Sequence, residues 1–178
     1  MFAPLTIDRH LERWLVAHRF ADGLWVWLSR LGSDGAVWIA AGIVLALVRR
    51  RAGPAVWVAC TWIAADLLSL LLKAAIPRAR PRVATLLPRP STHSFPSGHA
   101  ATSFACACVL AALEPRLRVP AYILAAAIAF SRLEVGVHFP LDVLAGGVLG
   151  LGVGLCVATA LRRREAARRR SLPVPPAG

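Results

Sequence analysis

The sequence predicts an all-α fold, a polytopic bundle of five to six transmembrane helices, and three observations carry that expectation. Apolar runs recur along the chain at about Gly35–Val48, Pro54–Leu72, Gly98–Leu113, Val119–Ser131 and Phe139–Leu161. The 178 residues are 57% hydrophobic with a mean hydropathy of +0.61, above the roughly 45–50% apolar usage of soluble domains. Lys and Arg outnumber Asp and Glu by 21 to 9, and the arginines fall mostly between the apolar runs. There they set topology and meet anionic headgroups, so the basic balance does not argue for nucleic acid.

Taken in order, the first 33 residues alternate Leu5, Leu11, Trp14, Leu15 and Val16 with Arg9, Glu12, Arg13 and Arg19. That pattern predicts an amphipathic helix lying in the interface, with Trp25 and Trp27 as anchors. Leu24–Leu31 can instead complete a sixth, bent span, and the sequence does not choose between the two. Several of the five runs are shorter than the roughly 20 apolar residues of a lone span. Polar helix ends at membrane depth are tolerated where they face protein or a wet cavity, so short runs predict helix ends lining a shared pocket. Gly146, Gly150 and Gly154 recur every four residues in the last run, the small-xxx-small pattern of close helix packing. Arg49–Arg50–Arg51, Arg116 with Arg118, and Arg162–Arg170 mark a cytoplasmic side. Alternation then puts Lys73–Pro96 and Arg132–His138 together outside. Residues 1–161 are expected to form one membrane-embedded domain and residues 162–178 a basic, disordered cytoplasmic tail. Cys60, Cys106, Cys108 and Cys156 lie within apolar runs, and neither disulfide nor metal thiolate is expected.

Three clusters at the edges of these runs carry chemistry. In Ser131-Arg132-x5-His138-x3-Asp142, the i,i+4 spacing lets the Asp142 carboxylate hold one imidazole nitrogen. The other nitrogen is then free as a nucleophile, although a structural His–Asp pair fits the same spacing. Pro96-Ser97-Gly98-His99 opens an apolar helix, where Ser97 can cap and the N–H groups of Ser97, Gly98 and His99 can meet an anion. Gly98 admits a phosphate closely, and His99 stands beside it as a proton donor. An ordinary capped helix start with a surface histidine has the same signature. Lys73-x6-Arg80-Pro81 supplies an ammonium and a planar guanidinium fork, both suited to phosphate oxygens. Arg78, Arg82 and Arg89 read as a basic loop touching headgroups, with Arg78 as a possible support for the site. Asp66, seven residues before Lys73, predicts a carboxylate that pairs with a site cation or caps a neighbouring helix. His10, His18 and His93 read as surface residues.

Together, in order and with intact spacing, the three clusters resemble the signature motifs of the type 2 phosphatidic acid phosphatase (PAP2) superfamily. The resemblance covers roughly residues 66–150 and points to the short, integral-membrane bacterial members. It implies a metal-free lipid phosphatase, without cofactor, whose histidine is transiently phosphorylated. His138 would be the nucleophile, Asp142 its partner, and His99 the acid that later activates water. Lys73, Arg80, Ser97, Gly98 and Arg132 would cradle the phosphate. Glu134 departs from the usual family pattern, since many relatives carry an aromatic there. It is expected either to shape substrate choice near the pocket or to sit outside, paired with an arginine.

The function expected is hydrolysis of a lipid phosphate or diphosphate at the outer face of the cell membrane. A C55-type polyprenyl diphosphate is the first choice of substrate. A decaprenyl-linked sugar phosphate, phosphatidic acid and phosphatidylglycerol phosphate are the rivals. A phosphate binder or transporter would use the same cations, but it needs no nucleophile. A zinc enzyme could use His99, His138 and Asp142 as ligands, and sensitivity to chelator would reveal it.

Overall fold

The computed structural model describes residues 5–170. Among them every regular element is helical: α1 (Thr6–Ala17), α2 (Asp22–Leu31), α3 (Ala36–Val48), α4 (Gly53–Ala75), α5 (Gly98–Leu113), α6 (Arg118–Glu134) and α7 (Pro140–Arg170). Short 3-10 turns at Ser33–Gly35 and Pro115–Leu117 complete the set. Two helices, α4 and the Pro140–Arg168 part of α7, are long and apolar enough to cross a membrane on their own. The bent pair α2–α3 makes a third if it is read as one span, and α5 is a shorter apolar helix.

α5 is the axis of the bundle. Its run Ala100–Ser103 and Ala105–Leu110 is buried, and α3, α4, α6 and α7 pack around it. Trp38, Val58, Cys106, Val109, Leu110 and Ile128 fill the core, and the Trp38 indole N–H donates to the Ser103 hydroxyl at 3.2 Å. The glycine row of α7 faces α5 as its spacing predicts. A methyl added at Gly146 would overlap the Ser97 carbonyl, and one at Gly150 the Ala101 carbonyl. Backbones this close allow helix packing by dispersion rather than by large side chains. They also seat the start of α7 against the start of α5. The four cysteines are free thiols.

α2 and α3 meet at a 56° bend. Its cause is local: Asp34 (φ 52°) and Gly35 (φ 69°) take left-handed conformations, and the Trp62 indole occupies the place where a Gly35 side chain would be. The bend turns Gly32 and Asp34 towards the start of α5.

Two expectations need correction. α7 runs through Arg162–Arg168 to Arg170, so the disordered tail does not begin at Leu161. Arg, Ala, Leu and Glu are strong helix formers, and no breaker intervenes before Pro173. The Arg164 guanidinium also stacks 5.2 Å over the Trp57 ring. The rest of the expected tail, residues 171–178, lies outside the described residues. Arg78 is the second correction: it is 3% exposed and ion-paired to Asp8 and Asp142, not a headgroup-facing loop residue.

Helix α1 has its faces inverted relative to a soluble helix. Asp8 and Glu12 are buried, whereas Ile7 and Trp14 are 64% and 59% exposed. Where the surroundings are lipid, the acidic row gains more by facing polar protein than by facing out.

Candidate active site

The loop after α4, the start of α5, the end of α6 and the turn into α7 converge on one cavity of about 240 Å³. It is lined by Lys73, Arg80, Arg132, Gly98, His99 and His138, together with Asp34, Asp66, Ser69, Thr92 and Thr102. Of the eight residues expected to bind or react, six reach this wall. Asp142 stands behind His138, and Ser97 is buried beneath it.

His138 lies in the turn between α6 and α7, where Gly136 (φ 75°) reverses the chain against Ala84. Its Nδ1 faces Asp142 Oδ2 at 3.5 Å and Ser94 Oγ at 3.5 Å. Its Nε2 meets an Arg80 guanidinium N–H at 3.2 Å. With Asp142 ionised, the proton belongs on Nδ1, and Nε2 keeps its lone pair, which accepts from the Arg80 guanidinium on the cavity wall. Burial, aided by the nearby guanidinium groups, pushes the His138 imidazole down to about 3, so it is neutral at ordinary pH.

Asp142 is fully buried, and both its oxygens are occupied. Oδ1 accepts from Arg78. Oδ2 accepts from the Ser94 hydroxyl and, at 2.9 Å, from the Phe139 N–H. A carboxylate fixed on this many donors cannot rotate away from the imidazole it orients.

Arg80 is clamped by the Thr92 carbonyl (2.9 Å), the Val137 carbonyl (2.8 Å), the Thr92 hydroxyl (3.2 Å) and the His93 carbonyl (3.2 Å). Burial lowers its proton affinity to about 10, which still leaves it cationic. Lys73 donates from Nζ to the Pro96 carbonyl, and Arg132 from one terminal N–H to Ser29 Oγ. The Arg132 Nε–H is buried without a partner. An orphaned guanidinium donor on a cavity wall is suited to an oxyanion.

His99 enters the cavity on the first turn of α5, with Nε2 3.4 Å from Ser33 Oγ at the α2–α3 bend. Gly98 lies over Ser69 Oγ, 3.2 Å from where a Cβ would sit. Ser97 caps the helix as expected, but its backbone departs from expectation. Its N–H is not open to an anion but donates to the Asp142 carbonyl at 2.9 Å, and its hydroxyl accepts from the Ala100 N–H. This residue ties α5 to α7 and leaves Gly98 and His99 to present the helix N-terminus.

Asp66 lines the cavity without an ion pair to Lys73 or to any other described cation. The expected salt bridge is therefore not formed; the carboxylate stands beside Asp34 at the rim. Glu134 is buried, off the cavity wall, with Oε2 unpartnered. It is neither an exposed arginine partner nor part of the pocket. Among the described residues no group of three or more His, Cys, Asp and Glu is arranged to hold a metal ion.

Sequence reasoning missed Asp8, Ser94 and Ser29. Asp8 had a readable signal: Asp8 and Glu12 are spaced i,i+4 on an otherwise basic, apolar helix.

A family profile described as the PAP2 superfamily matches residues 54–166. Among curated proteins, the chain is 33% identical to an undecaprenyl-diphosphatase from Sulfolobus acidocaldarius, over 72% of this chain and 65% of the relative. It is 35% identical to a decaprenylphosphoryl-5-phosphoribose phosphatase from Mycobacterium tuberculosis, over 80% of this chain and 82% of the relative. Among solved structures, a transmembrane PAP2 type phosphatidylglycerolphosphate phosphatase from Bacillus subtilis superposes with a TM-score of 0.76 at 25% identity. That match covers 89% of this chain and 86% of the other.

Proposed function

Because this chain belongs to the PAP2 superfamily and is a lipid phosphatase, a hydrolase of phosphate esters, we propose that it cleaves polyprenyl-linked phosphates through a phosphohistidine on His138. The observation that supports this most is the meeting of an oriented, neutral imidazole with three cations on one small cavity. Phosphoryl transfer spreads charge over equatorial oxygens, and Lys73, Arg80 and Arg132 stand fixed to receive it.

In the first step His138 Nε2 attacks phosphorus and the bond to the leaving oxygen breaks. His99 gives that oxygen a proton; an anion in the cavity raises the proton affinity of the imidazole for this task. In the second step water attacks phosphorus, losing its proton to His99. The P–N bond breaks, inorganic phosphate leaves, and both imidazoles are restored.

Five spans, with α2–α3 as one bent crossing and α1 on the interface, fit the helices and their polar ends. The arginines Arg49, Arg51, Arg164 and Arg168 gather at the end of the bundle away from the cavity. By the positive-inside rule that end, with the tail, is cytoplasmic and the cavity faces outward.

A polyprenyl diphosphate is the first substrate. A polyprenyl-linked sugar phosphate is the second reading, favoured by Asp34 and Asp66, whose carboxylates at the rim can accept hydrogen bonds from sugar hydroxyls. A panel of lipid phosphates assayed on the purified protein tests both. Polyprenyl phosphates should be turned over at an unchanged rate in chelator and blocked by vanadate. Loss of activity in chelator would overturn the mechanism.

A further inference from the structure

α7 begins with an incomplete cap. Phe139 is its N-cap, since its carbonyl accepts from Asp142 at 3.0 Å and Val143 at 3.3 Å, and Pro140 follows at the first helical position. Asp142, at the third helical position, returns a hydrogen bond to the Phe139 N–H, as the acid of a capping box does. The other half of that box needs a side-chain oxygen at the N-cap, and phenylalanine has none. Asp8 of α1 supplies it: Asp8 Oδ1 accepts from the Leu141 N–H at 3.0 Å. Asp8 Oδ2 accepts from Arg78, whose other terminal nitrogen donates to Asp142 Oδ1. Asp8, Arg78 and Asp142 are 3%, 3% and 0% exposed, and the Arg78 guanidinium lies 4.9 Å from the Phe139 ring centroid.

We propose that Asp8 is a positioning residue for the phosphoryl transfer, and that α1 completes the active site through it. This rests on His138 acting as the nucleophile. Its charge matters as well as its geometry. Asp8, Arg78 and Asp142 together carry one net negative charge behind His138. As Nε2 bonds to phosphorus, the imidazole ring becomes cationic, and that net charge stabilises it in a dry setting. Without Asp8, Arg78 would cancel Asp142, and the ring would gain its charge against a neutral background.

The test is a charge cycle in detergent or nanodiscs with a polyprenyl diphosphate as substrate. Asp8→Asn should lower kcat by about 10–100-fold, the range typical when an outer-shell partner of a functional histidine is removed. KM should stay within about twofold. Adding Arg78→Gln to Asp8→Asn restores the single negative charge on Asp142, so the double variant should exceed Asp8→Asn in kcat by about threefold or more. A purely structural role predicts that the second change lowers kcat further. Should Asp8→Asn not fold, Asp8→Glu replaces it and should exceed Asp8→Gln about tenfold at an equal melting temperature. Asp8→Asn with kcat within about twofold of the parent, or a double variant below the single, would overturn the proposal. His138→Ala, measured alongside, separates the two levels. If it keeps turnover, the nucleophile assignment fails; if it is inactive while Asp8→Asn is unaffected, only the role of Asp8 fails.

Discussion

On the proposed function, Arg132 is a side chain built for a charge that arrives later. One edge of its guanidinium is anchored on Ser29, and its Nε–H is buried facing no acceptor. Leaving such a donor unpaired costs about 1–3 kcal/mol or more, a cost a bound phosphate removes. Arg132→Ala should therefore lower kcat by about 10²–10³-fold, the usual loss for one preorganised donor to a developing oxyanion. Arg132→Lys should recover little, because a point charge cannot replace the planar fork. Steady-state phosphate release from a lipid phosphate checks both. At this scale the spacing of residues made much legible: His138, Asp142, Lys73, Arg80, Arg132 and His99 could be selected from helix-end motifs alone. Ser97 was only half legible, because the carbonyl that takes its N–H belongs to Asp142, 45 residues further on.

Among the elements, α7 depends on its approach to α5. Gly150→Ala would drive a methyl into the Ala101 carbonyl, and overpacking of this kind costs about 1–3 kcal/mol. The same displacement would separate Asp142 from Ser97, so thermal stability and turnover should fall together. α1 carries a pH-dependent strain of its own. Burial raises the Glu12 carboxyl to about 7, above its ordinary range, with Oε1 unpartnered. Between its unfolded value and about 7, the folded protein binds more protons at Glu12 than the unfolded chain does. That contribution to stability is therefore present at low pH and is lost as pH rises towards 7. Glu12→Gln should raise Tm at pH 8, by about 2–4 °C per kcal/mol recovered, and change it little at pH 5. Melting curves at the two pH values check this. The orientation of α1 was not legible, since an amphipathic pattern says which residues share a face but not whether water or lipid lies opposite. The α2–α3 bend was half legible: a bent span through Leu24–Leu31 was one of two alternatives the sequence left open, but the role of Trp62 in fixing the bend is a tertiary fact.

Over the whole molecule, polarity is arranged along the bundle axis. Arg49, Arg51, Arg164 and Arg168 gather at one end, where Arg49 also pairs with Glu114 at 2.7 Å, and a second group, Arg78, Arg80 and Arg132, stands at the candidate cavity. The apolar runs and the arginines between them made the all-helical architecture readable. The network from α1 through Arg78 to Asp142 was not readable, because it joins residues 134 positions apart that share no motif. The account as a whole stands on a covalent bond forming at one nitrogen. Rapid quenching of the enzyme with a ³²P-labelled polyprenyl phosphate, followed by mapping of the label under alkaline conditions, observes that bond directly. The label should appear on His138 within the first turnover and be absent from His138→Ala. A fully active enzyme that never carries label at His138, or a His138→Ala variant that still releases phosphate, would contradict it.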